Sequence, residues 1–439
     1  MQTSPGRRKL EGAFQGWGEA LVTSTEVDSH NHGLRDLGLR AFAKRWLWMC
    51  HHTSEDTFLV HQCPPGEDAI EAGVHALIIG MSTYPPRPKS LDWIRHPQLP
   101  FGDIDGAALG AAQFAQFLAD KFGHPAGIPV RTLRLLLLPT QEEEGHLPVA
   151  SRMWNDASFD NVDAAIWGWY RDCDSHPDNV ALMYISGHGI VLPHSVPIVF
   201  LGRANQEKNP CAQSINLTAI REAMAYNMAR DNIYFFDCCA VKDTAAAFPY
   251  DCINQSGITL PILTEGRQPR SNCVAVRSTR TGTESYTISA SEGTLFSHTL
   301  LPLLWTAGSL IQDLFTITTD RLKDRLREEF QAIPDAEGQE PDVEGHMPGG
   351  IHRPEPPPNF KIRFYADGGT ESQFRLIVYN NSDHPVIDET VFEGRVVNLP
   401  AGKYNYRVET ESVNAGIPRS FDLDRNMAVD IERGYVVWA

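Results

Sequence analysis

Two short apolar runs constrain the fold of this chain most strongly, because each ends on a reactive side chain. The first leads into residues 184–189 (YISGHG), which place His188 between two glycines. The second leads into residues 234–239 (YFFDCC), which end on Cys239. Short, nearly continuous apolar runs are typical of strands buried on both faces of a parallel sheet. A histidine and a cysteine at the ends of two such strands predict a Cys–His dyad.

The surrounding pattern predicts an α/β fold with a mostly parallel sheet flanked by helices, over residues 73–347. Residues 348–358 are rich in proline and are expected to form a semi-rigid linker. Residues 359–439 predict a small all-β sandwich of about seven strands. Residues 1–72 form an N-terminal region whose structure the sequence does not define, apart from an apolar spacing that predicts a helix over 34–49. Strands of the α/β domain are predicted at 74–80, 133–138, 179–185, 199–201, 233–236 and 273–276, and helices at 105–122, 162–170, 216–229, 296–305 and 318–330.

Composition narrows the class of protein. The chain has 439 residues, 42% hydrophobic and 21% charged, as expected for folded domains with a large core. A net charge of −17 argues against nucleic-acid and anionic-membrane partners. Neither a signal peptide nor an apolar run of about 20 residues is present, so a cytoplasmic location is expected. The eight cysteines show no C-x-x-C spacing, and neither a metal nor another cofactor is predicted.

The two strand ends carry the parts of a nucleophilic site. A thiol attacks a carbonyl as the thiolate, and His188 is the residue expected to take the Cys239 proton. The backbone N–H groups of Gly189 and Cys239 are expected to donate to the developing oxyanion. Gly187 and Gly189 would let a substrate backbone approach closely. Cys238 should point to the opposite face of its strand and pack in the core.

Five segments in order carry a resemblance to a known family. They are residues 99–108 (LPFGDIDGAA), 186–189 (SGHG), 237–239 (DCC), 293–301 (GTLFSHTLL) and 339–341 (QEP). Together they resemble the caspase-like cysteine peptidases of clan CD, and metacaspases more closely than animal caspases. The resemblance covers about residues 73–347.

The resemblance implies a role for each matching residue. Cys239 would be the nucleophile and His188 the general acid and base. Asp105, Asp237 and Ser186 would line the S1 pocket, which receives the side chain before the scissile bond. Two carboxylates in that pocket favour a basic side chain, and arginine above lysine because it binds in bidentate fashion. The expected substrates are proteins or peptides cleaved after Arg or Lys.

Residues 264–271 correspond to the linker between the large and small subunits of the family. Arg267 and Arg270 are therefore candidate autocleavage sites of a regulated, zymogen-like form. Arg270 is the better candidate because the small Ser271 follows it, whereas Pro269 stiffens the chain after Arg267. The resemblance to caspase-like proteins of bacterial type implies a role in stress signalling or defence, including antiviral defence.

Two departures from the family bear on regulation. Metacaspases follow the nucleophile with His-Ser-Gly, whereas this chain has Ala240-Val241-Lys242. Many metacaspases bind calcium through acidic residues after the histidine motif, but residues 190–199 contain no carboxylate. Calcium dependence is therefore not expected. An activating protein partner or an upstream protease is the expected trigger.

Other interpretations of the same residues stay open at this level. The chain could be a catalytically silent scaffold that recruits partners through its N-terminal and β-sandwich regions, or an amidase for small molecules. Cys239 could be a buried structural cysteine. Asp105 could cap a helix, and Arg267 and Arg270 could be solvated loop residues.

Overall fold

The computed structural model describes most of the chain beyond residue 58, and Thr57–Ala439 form one compact unit. The predicted helix over 34–49 and the candidate cleavage site Arg270 lie outside the described residues. The described ranges are 59–62, 71–86, 102–148, 154–192, 195–207, 209–242, 257–262, 267–269, 272–333, 338–365, 373–392, 395–409, 419–430 and 436–438.

A large sheet organises the α/β domain. Its strand order is β1-β3-β2-β5-β9-β11-β16, with the short β4 beside β3. The five inner strands run parallel, and the edge strands β1 and β16 are antiparallel to their neighbours. The predicted α/β class with a mostly parallel sheet is confirmed. The strands are β1 Leu59–Gln62, β2 Val74–Met81, β3 Val130–Leu138, β4 Asn155–Asp156, β5 Val180–Gly187, β9 Asp231–Cys238, β11 Cys273–Arg277 and β16 Asp342–His346.

Helices cover both faces of this sheet, which explains why β2 and β5 are buried along their whole length. One face packs in a single core with the first, fifth and sixth helices. On the other face, His75 of β2 reaches towards Asp172, and the backbone carbonyl of His75 accepts a bond from Trp169. The helices are α1 Ala107–Asp120, α2 Gln141–Glu144, α3 Phe159–Cys173, α4 Leu217–Ala225, α5 Leu295–Thr306 and α6 Thr319–Ala332.

Three smaller sheets extend the domain. One has the order β10-β6-β7-β8, and it begins where β5 ends, because only His188 separates β5 from β6. The pairs β12–β13 and β14–β15 are antiparallel. These strands are β6 Gly189–Leu192, β7 Val196–Phe200, β8 Ser214–Asn216, β10 Val241–Lys242, β12 Thr287–Ser289, β13 Gly293–Thr294, β14 Gly308–Ile311 and β15 Leu314–Ile317.

The C-terminal region forms two four-stranded sheets, in the orders β20-β17-β23-β24 and β19-β18-β21-β22. The described residues thus show eight strands where the sequence predicts about seven. The strand missed is β19, which begins on Pro385 and carries exposed polar side chains. The strands are β17 Asn359–Tyr365, β18 Gln373–Asn380, β19 Pro385–Phe392, β20 Val396–Pro400, β21 Gly402–Glu409, β22 Arg419–Leu423, β23 Met427–Asp430 and β24 Val436–Trp438.

The segment predicted as a linker is packed against the α/β domain. Its His352 is fully buried and stacks on Phe122 with ring centroids 5.1 Å apart. The backbone of Ile317 exchanges hydrogen bonds with Ile351 and His352. The β14–β15 hairpin also contacts the sandwich, because the rings of Phe315 and Phe360 lie 5.6 Å apart.

Candidate active site

Strand register brings residues 184–189 and 234–239 together at one end of the large sheet. In the parallel pair β5–β9, Ser186 lies opposite Asp237 and Gly187 lies opposite Cys238. His188 and Cys239 follow immediately, at the carboxyl ends of neighbouring strands. Ligand sites of open parallel sheets form at this edge.

Gly189 allows these two strand ends to approach each other. A Cβ atom at this position would lie 2.7 Å from the carbonyl oxygen of Cys239 and 3.0 Å from the Cβ of Cys238. Any larger residue would therefore displace the segment that carries the thiol. The expectation that Gly189 makes room for a substrate backbone needs correction, because the chain's own Cys238–Cys239 segment occupies that space.

The imidazole of His188 is held by two neighbours. Its Nε2 lies 2.9 Å from the carbonyl oxygen of Gly102, and its ring packs at 4.7 Å from that of Tyr84. A carbonyl only accepts hydrogen bonds, so Nε2 carries the proton in the neutral ring and Nδ1 carries the lone pair. Burial lowers the pKa of His188 below its ordinary value, against the opposing effects of Gly102 and Asp103. A neutral imidazole at neutral pH can act as a base.

The Cys239 thiol is half-buried and makes both of its hydrogen bonds with Ser285. The backbone N–H of Ser285 donates to Sγ at 3.3 Å, and Sγ lies 3.7 Å from the Ser285 carbonyl oxygen. Burial raises the pKa of Cys239, although the Ser285 N–H acts in the opposite direction. Burial thus favours the neutral thiol in the resting site, where the contacts described for it are with the backbone of Ser285.

Asp237 lies two residues before Cys239 in the chain and is 3% exposed. Tyr184 and Ser186 donate to Oδ2 at 3.0 and 3.3 Å, and Ser285 donates to Oδ1 at 3.3 Å. Thr294 also donates to Oδ2. Burial raises the pKa of Asp237 to about 6, in spite of these four hydroxyl donors. Within the described ranges, no lysine, arginine or histidine forms an ion pair with it.

The other two predicted S1 residues differ in exposure. Ser186 is fully buried behind Asp237, whereas Asp105 is exposed. Asp105 is not the N-cap of α1, because Gly106 occupies that position with a φ of 93°. Asp105 is connected to Asp237 only indirectly. Its neighbour Gly106 packs against Gly293, and the next residue, Thr294, donates a hydrogen bond to Asp237.

A buried carboxylate that the sequence did not reveal holds this turn. Glu143 is fully buried, and its Oε1 accepts bonds from Gly106 N–H at 2.8 Å and Leu109 N–H at 3.2 Å. The Ser82 hydroxyl donates to the same oxygen at 2.8 Å. Glu143 thereby satisfies the N–H groups of Gly106, which precedes α1, and of Leu109 in its first turn, while Ser82 Oγ accepts the N–H of Ala108. A local capping residue usually has this role.

Sequence reasoning also missed most of the polar groups around the thiol. Tyr184 was predictable as a site residue, because residues two apart share a face of a strand and Ser186 is a predicted S1 residue. Thr294 lies inside a recognised segment, but its hydroxyl could not be assigned to Asp237 without the fold. The groups for which the sequence predicted no individual role are Tyr84, Gly102, Tyr184, Ser285, Thr294 and Gln339.

The remaining predicted residues lie elsewhere or in another environment. Cys238 is only half-buried and lies against Gly189, not in the core. Arg267 is far from the thiol, and its guanidinium pairs with both carboxylate oxygens of Asp174, at 2.6 and 3.3 Å. Arg267 also donates to the carbonyl oxygen of Tyr226. Arg267 is thus ion-paired and only partly exposed.

Two negative findings concern only the described residues. They contain no cluster of three or more His, Cys, Asp or Glu side chains placed to hold a metal ion. They also contain no helix that is both long and apolar enough to cross a membrane.

Comparison with known proteins supports the assignment of family. No curated protein sequence matches the chain. The crystal structure of caspase-1 from Spodoptera frugiperda is similar at 11% sequence identity, with a TM-score of 0.36, over 66% of this chain and 97% of that one. Residues 74–349, more than half of the chain, match the caspase domain family. The chain therefore belongs to the caspase-domain family of cysteine peptidases.

Proposed function

We propose that this protein is an endopeptidase that cleaves proteins after Arg, and less readily after Lys, through a Cys239–His188 dyad. The observation that carries the proposal is the position of Ser285. Its backbone contacts the Cys239 thiol and its hydroxyl contacts Asp237. A nucleophile and a buried carboxylate thus lie on either side of one residue.

The geometry supports a proton transfer that follows substrate binding. The resting thiol is neutral, so His188 Nδ1 takes its proton as the carbonyl of the scissile bond approaches. The thiolate then attacks the carbonyl carbon, and the N–H groups of Gly189 and Cys239 stabilise the oxyanion. The imidazolium returns the proton to the leaving amine. Water, deprotonated by His188, hydrolyses the thioester and regenerates the thiol.

The environment of Asp237 supports a preference for substrates with a basic residue before the scissile bond. With a pKa of about 6, its carboxylate is mostly ionised at neutral pH. The four partners that the described part of the chain provides are hydroxyl groups, none of which supplies a positive charge. A guanidinium or ammonium group would supply that charge, and the exposed Asp105 adds a second carboxylate. Arginine is favoured because its planar group can bind two oxygens at once.

The position of Arg267 supports processing between molecules. Asp174 is the C-cap residue of α3. Its Oδ1 accepts a bond from the N–H of Met228, which places Asp174 next to the start of β9. Arg267 is therefore at the amino ends of the strands, opposite the thiol. A strand of 8 residues such as β5, at about 3.3 Å per residue, separates the ends by roughly 26 Å. We propose that a second molecule of the protein, or an upstream protease, cuts the linker at Arg267 or Arg270.

The proposed setting is a reducing cytoplasm, where the thiol stays reduced. Protein substrates with a basic residue before the scissile bond, and a protein partner that activates the enzyme, are proposed rather than nucleic acid or membrane partners. The proposed biological role is stress or defence signalling, including antiviral defence.

The test compares the wild type with Cys239→Ala on fluorogenic peptides that carry Arg, Lys or Asp before the scissile bond. We expect turnover of Arg and Lys peptides by the wild type alone, with or without calcium. Turnover of the Asp peptide alone would contradict the pocket assignment. No turnover by intact or nicked protein would favour a silent scaffold.

A further inference from the structure

We propose that Gln339 is a positioning residue for the peptidase reaction. It fixes the loop of residues 278–286 so that Ser285 stays in contact with both the Cys239 thiol and Asp237. This role rests on the proposed function. It concerns a residue that follows the last helix of the α/β domain and is distant in sequence from the thiol.

Gln339 is 3% exposed and uses both ends of its amide on this loop. Its Nε2 donates to the carbonyl oxygen of Ser278 at 3.1 Å and to the Ser285 hydroxyl at 3.3 Å. Its Oε1 accepts the backbone N–H of Tyr286 at 2.9 Å. One buried amide therefore joins the first residue of the loop to its last two.

The loop in turn encloses the segment that carries the thiol. The Ser278 hydroxyl donates to the Cys238 carbonyl oxygen at 3.3 Å. The backbone of Ala240 donates to Thr283 at 3.2 Å and accepts from Gly282 at 2.7 Å. Residues on both sides of Cys239 are thus bonded to the loop that Gln339 holds.

Gln339 does not touch the thiol, so its effect would pass through Ser285. The Ser285 N–H is a hydrogen-bond donor aimed at Sγ, and such a donor stabilises the thiolate more than the thiol. Loss of the amide bonds would free Ser285 to move away from both Sγ and Asp237. The thiol would then ionise less readily, and the carboxylate would lose one of its four donors.

The test uses Gln339→Met, which keeps the size of the side chain but removes its hydrogen bonds. The matched control is Asn227→Leu. Asn227 is also a buried amide that joins two backbone groups, Tyr170 O at 3.0 Å and Ala229 N at 2.9 Å, but it lies at the other end of the sheet. Thermal unfolding of both variants measures the purely structural cost.

The decisive measurement is the rate at which iodoacetamide alkylates Cys239 as a function of pH, with tandem mass spectrometry to separate residues 238 and 239. We expect the Gln339→Met profile to move to higher pH and its rate at pH 7.5 to fall about tenfold, while Asn227→Leu follows the wild type. We also expect kcat for an Arg peptide to fall about tenfold, with a smaller change in KM.

An unchanged alkylation profile in folded Gln339→Met, or the same shift in Asn227→Leu, would overturn the proposal. If Gln339→Met does not fold, Gln339→Asn decides, because it adds no charge and its amide is one methylene too short to reach Ser278, Ser285 and Tyr286 together. Alkylation needs no substrate. A wild type without peptidase activity would therefore refute the proposed function while the role of Gln339 in positioning the thiol is still measured.

Discussion

The two ends of the large sheet both contain buried carboxylates, but only one end supplies them with cations. At the amino ends, Asp231 contacts Arg230 at 3.0 Å and His124 at 3.6 Å, and Asp174 pairs with Arg267. At the carboxyl ends, the partners of Asp237 among the described residues are all hydroxyl groups. The comparison indicates that the amino ends are electrostatically complete, whereas the carboxyl ends hold an unmatched negative charge next to a thiol.

The pKa shifts express the same difference. Burial raises the pKa of Asp237 to about 6. Burial also acts to raise the pKa of Asp231, but hydrogen bonds from His124, Asn272 and Arg230 together hold it below its ordinary value. An unmatched buried carboxylate costs folding free energy, and such groups are concentrated at functional sites.

The largest expected effect is the loss of catalysis when the thiol at the carboxyl ends of the strands is removed. Removal of a thiol at the amino ends should have almost no effect on catalysis. Cys239→Ala should lower kcat for an Arg peptide about 10⁴-fold or more, because the nucleophile is lost. Cys273→Ala, at the start of β11, is the control and should leave kcat within about twofold of the wild type. Loss of activity in Cys238→Ala with retention in Cys239→Ala would show that the other thiol is the nucleophile.

The second prediction separates the two carboxylates by activity and by stability. Asp237→Asn should lower kcat/KM for an Arg peptide about 100-fold, because the ion pair with the substrate is lost. Asp231→Asn should leave kcat/KM much closer to the wild type. Equal losses in the two variants would remove the proposed distinction between the ends of the sheet.

Their stabilities should change in opposite directions with pH. The raised pKa of Asp237 means that the wild type loses stability as pH rises from about 4 to about 6, so Asp237→Asn should be more stable above pH 6 by about 1–3 kcal/mol. The lowered pKa of Asp231 stabilises the fold above the unfolded pKa, and this contribution disappears as pH falls through the folded pKa. Asp231→Asn should therefore be less stable at pH 7. Thermal unfolding at pH 4 and pH 7.5 measures both.

A third prediction concerns the pH dependence of activity. Below about pH 6, protonation neutralises Asp237, so kcat/KM for an Arg peptide should fall with an apparent pKa near that value. Burial lowers the pKa of His188 below its ordinary value, so the two groups should contribute to the acid limb differently. The acid limb should move to lower pH in Asp237→Asn. A limb that stays in place in this variant would assign it to His188 instead.

The smallest expected effect is on processing. Asp174→Asn should release Arg267 and increase cleavage there a few-fold when active protein is added to a Cys239→Ala target. Asp178→Asn, which alters the neighbouring contact with Arg230, is the control. Since the cut is proposed to occur between molecules, the fraction nicked at a given time should rise with protein concentration. A concentration-independent rate, with the Cys239→Ala target uncut, would contradict this.

Sequence pattern predicted the inner strands and their ends well, because strands buried on both faces are short apolar runs. It missed the edge strands β16 and β19, since an edge strand carries polar side chains and lacks that pattern. The linker prediction relied on the composition of residues 348–358. It did not anticipate that His352 would be buried against Phe122, because proline content describes local stiffness and not packing partners.

The sequence alone determined the α/β class, the caspase-like motifs and the placement of His188 and Cys239 at strand ends, because these depend on local periodicity and spacing. Only the tertiary structure decided what surrounds them. Ser285, Thr294 and Gln339 come from distant parts of the chain, and their hydrogen bonds depend on strand register and loop path. The unmatched charge of Asp237 is likewise a property of its surroundings, since the same residue type at Asp231 has a cationic partner in Arg230.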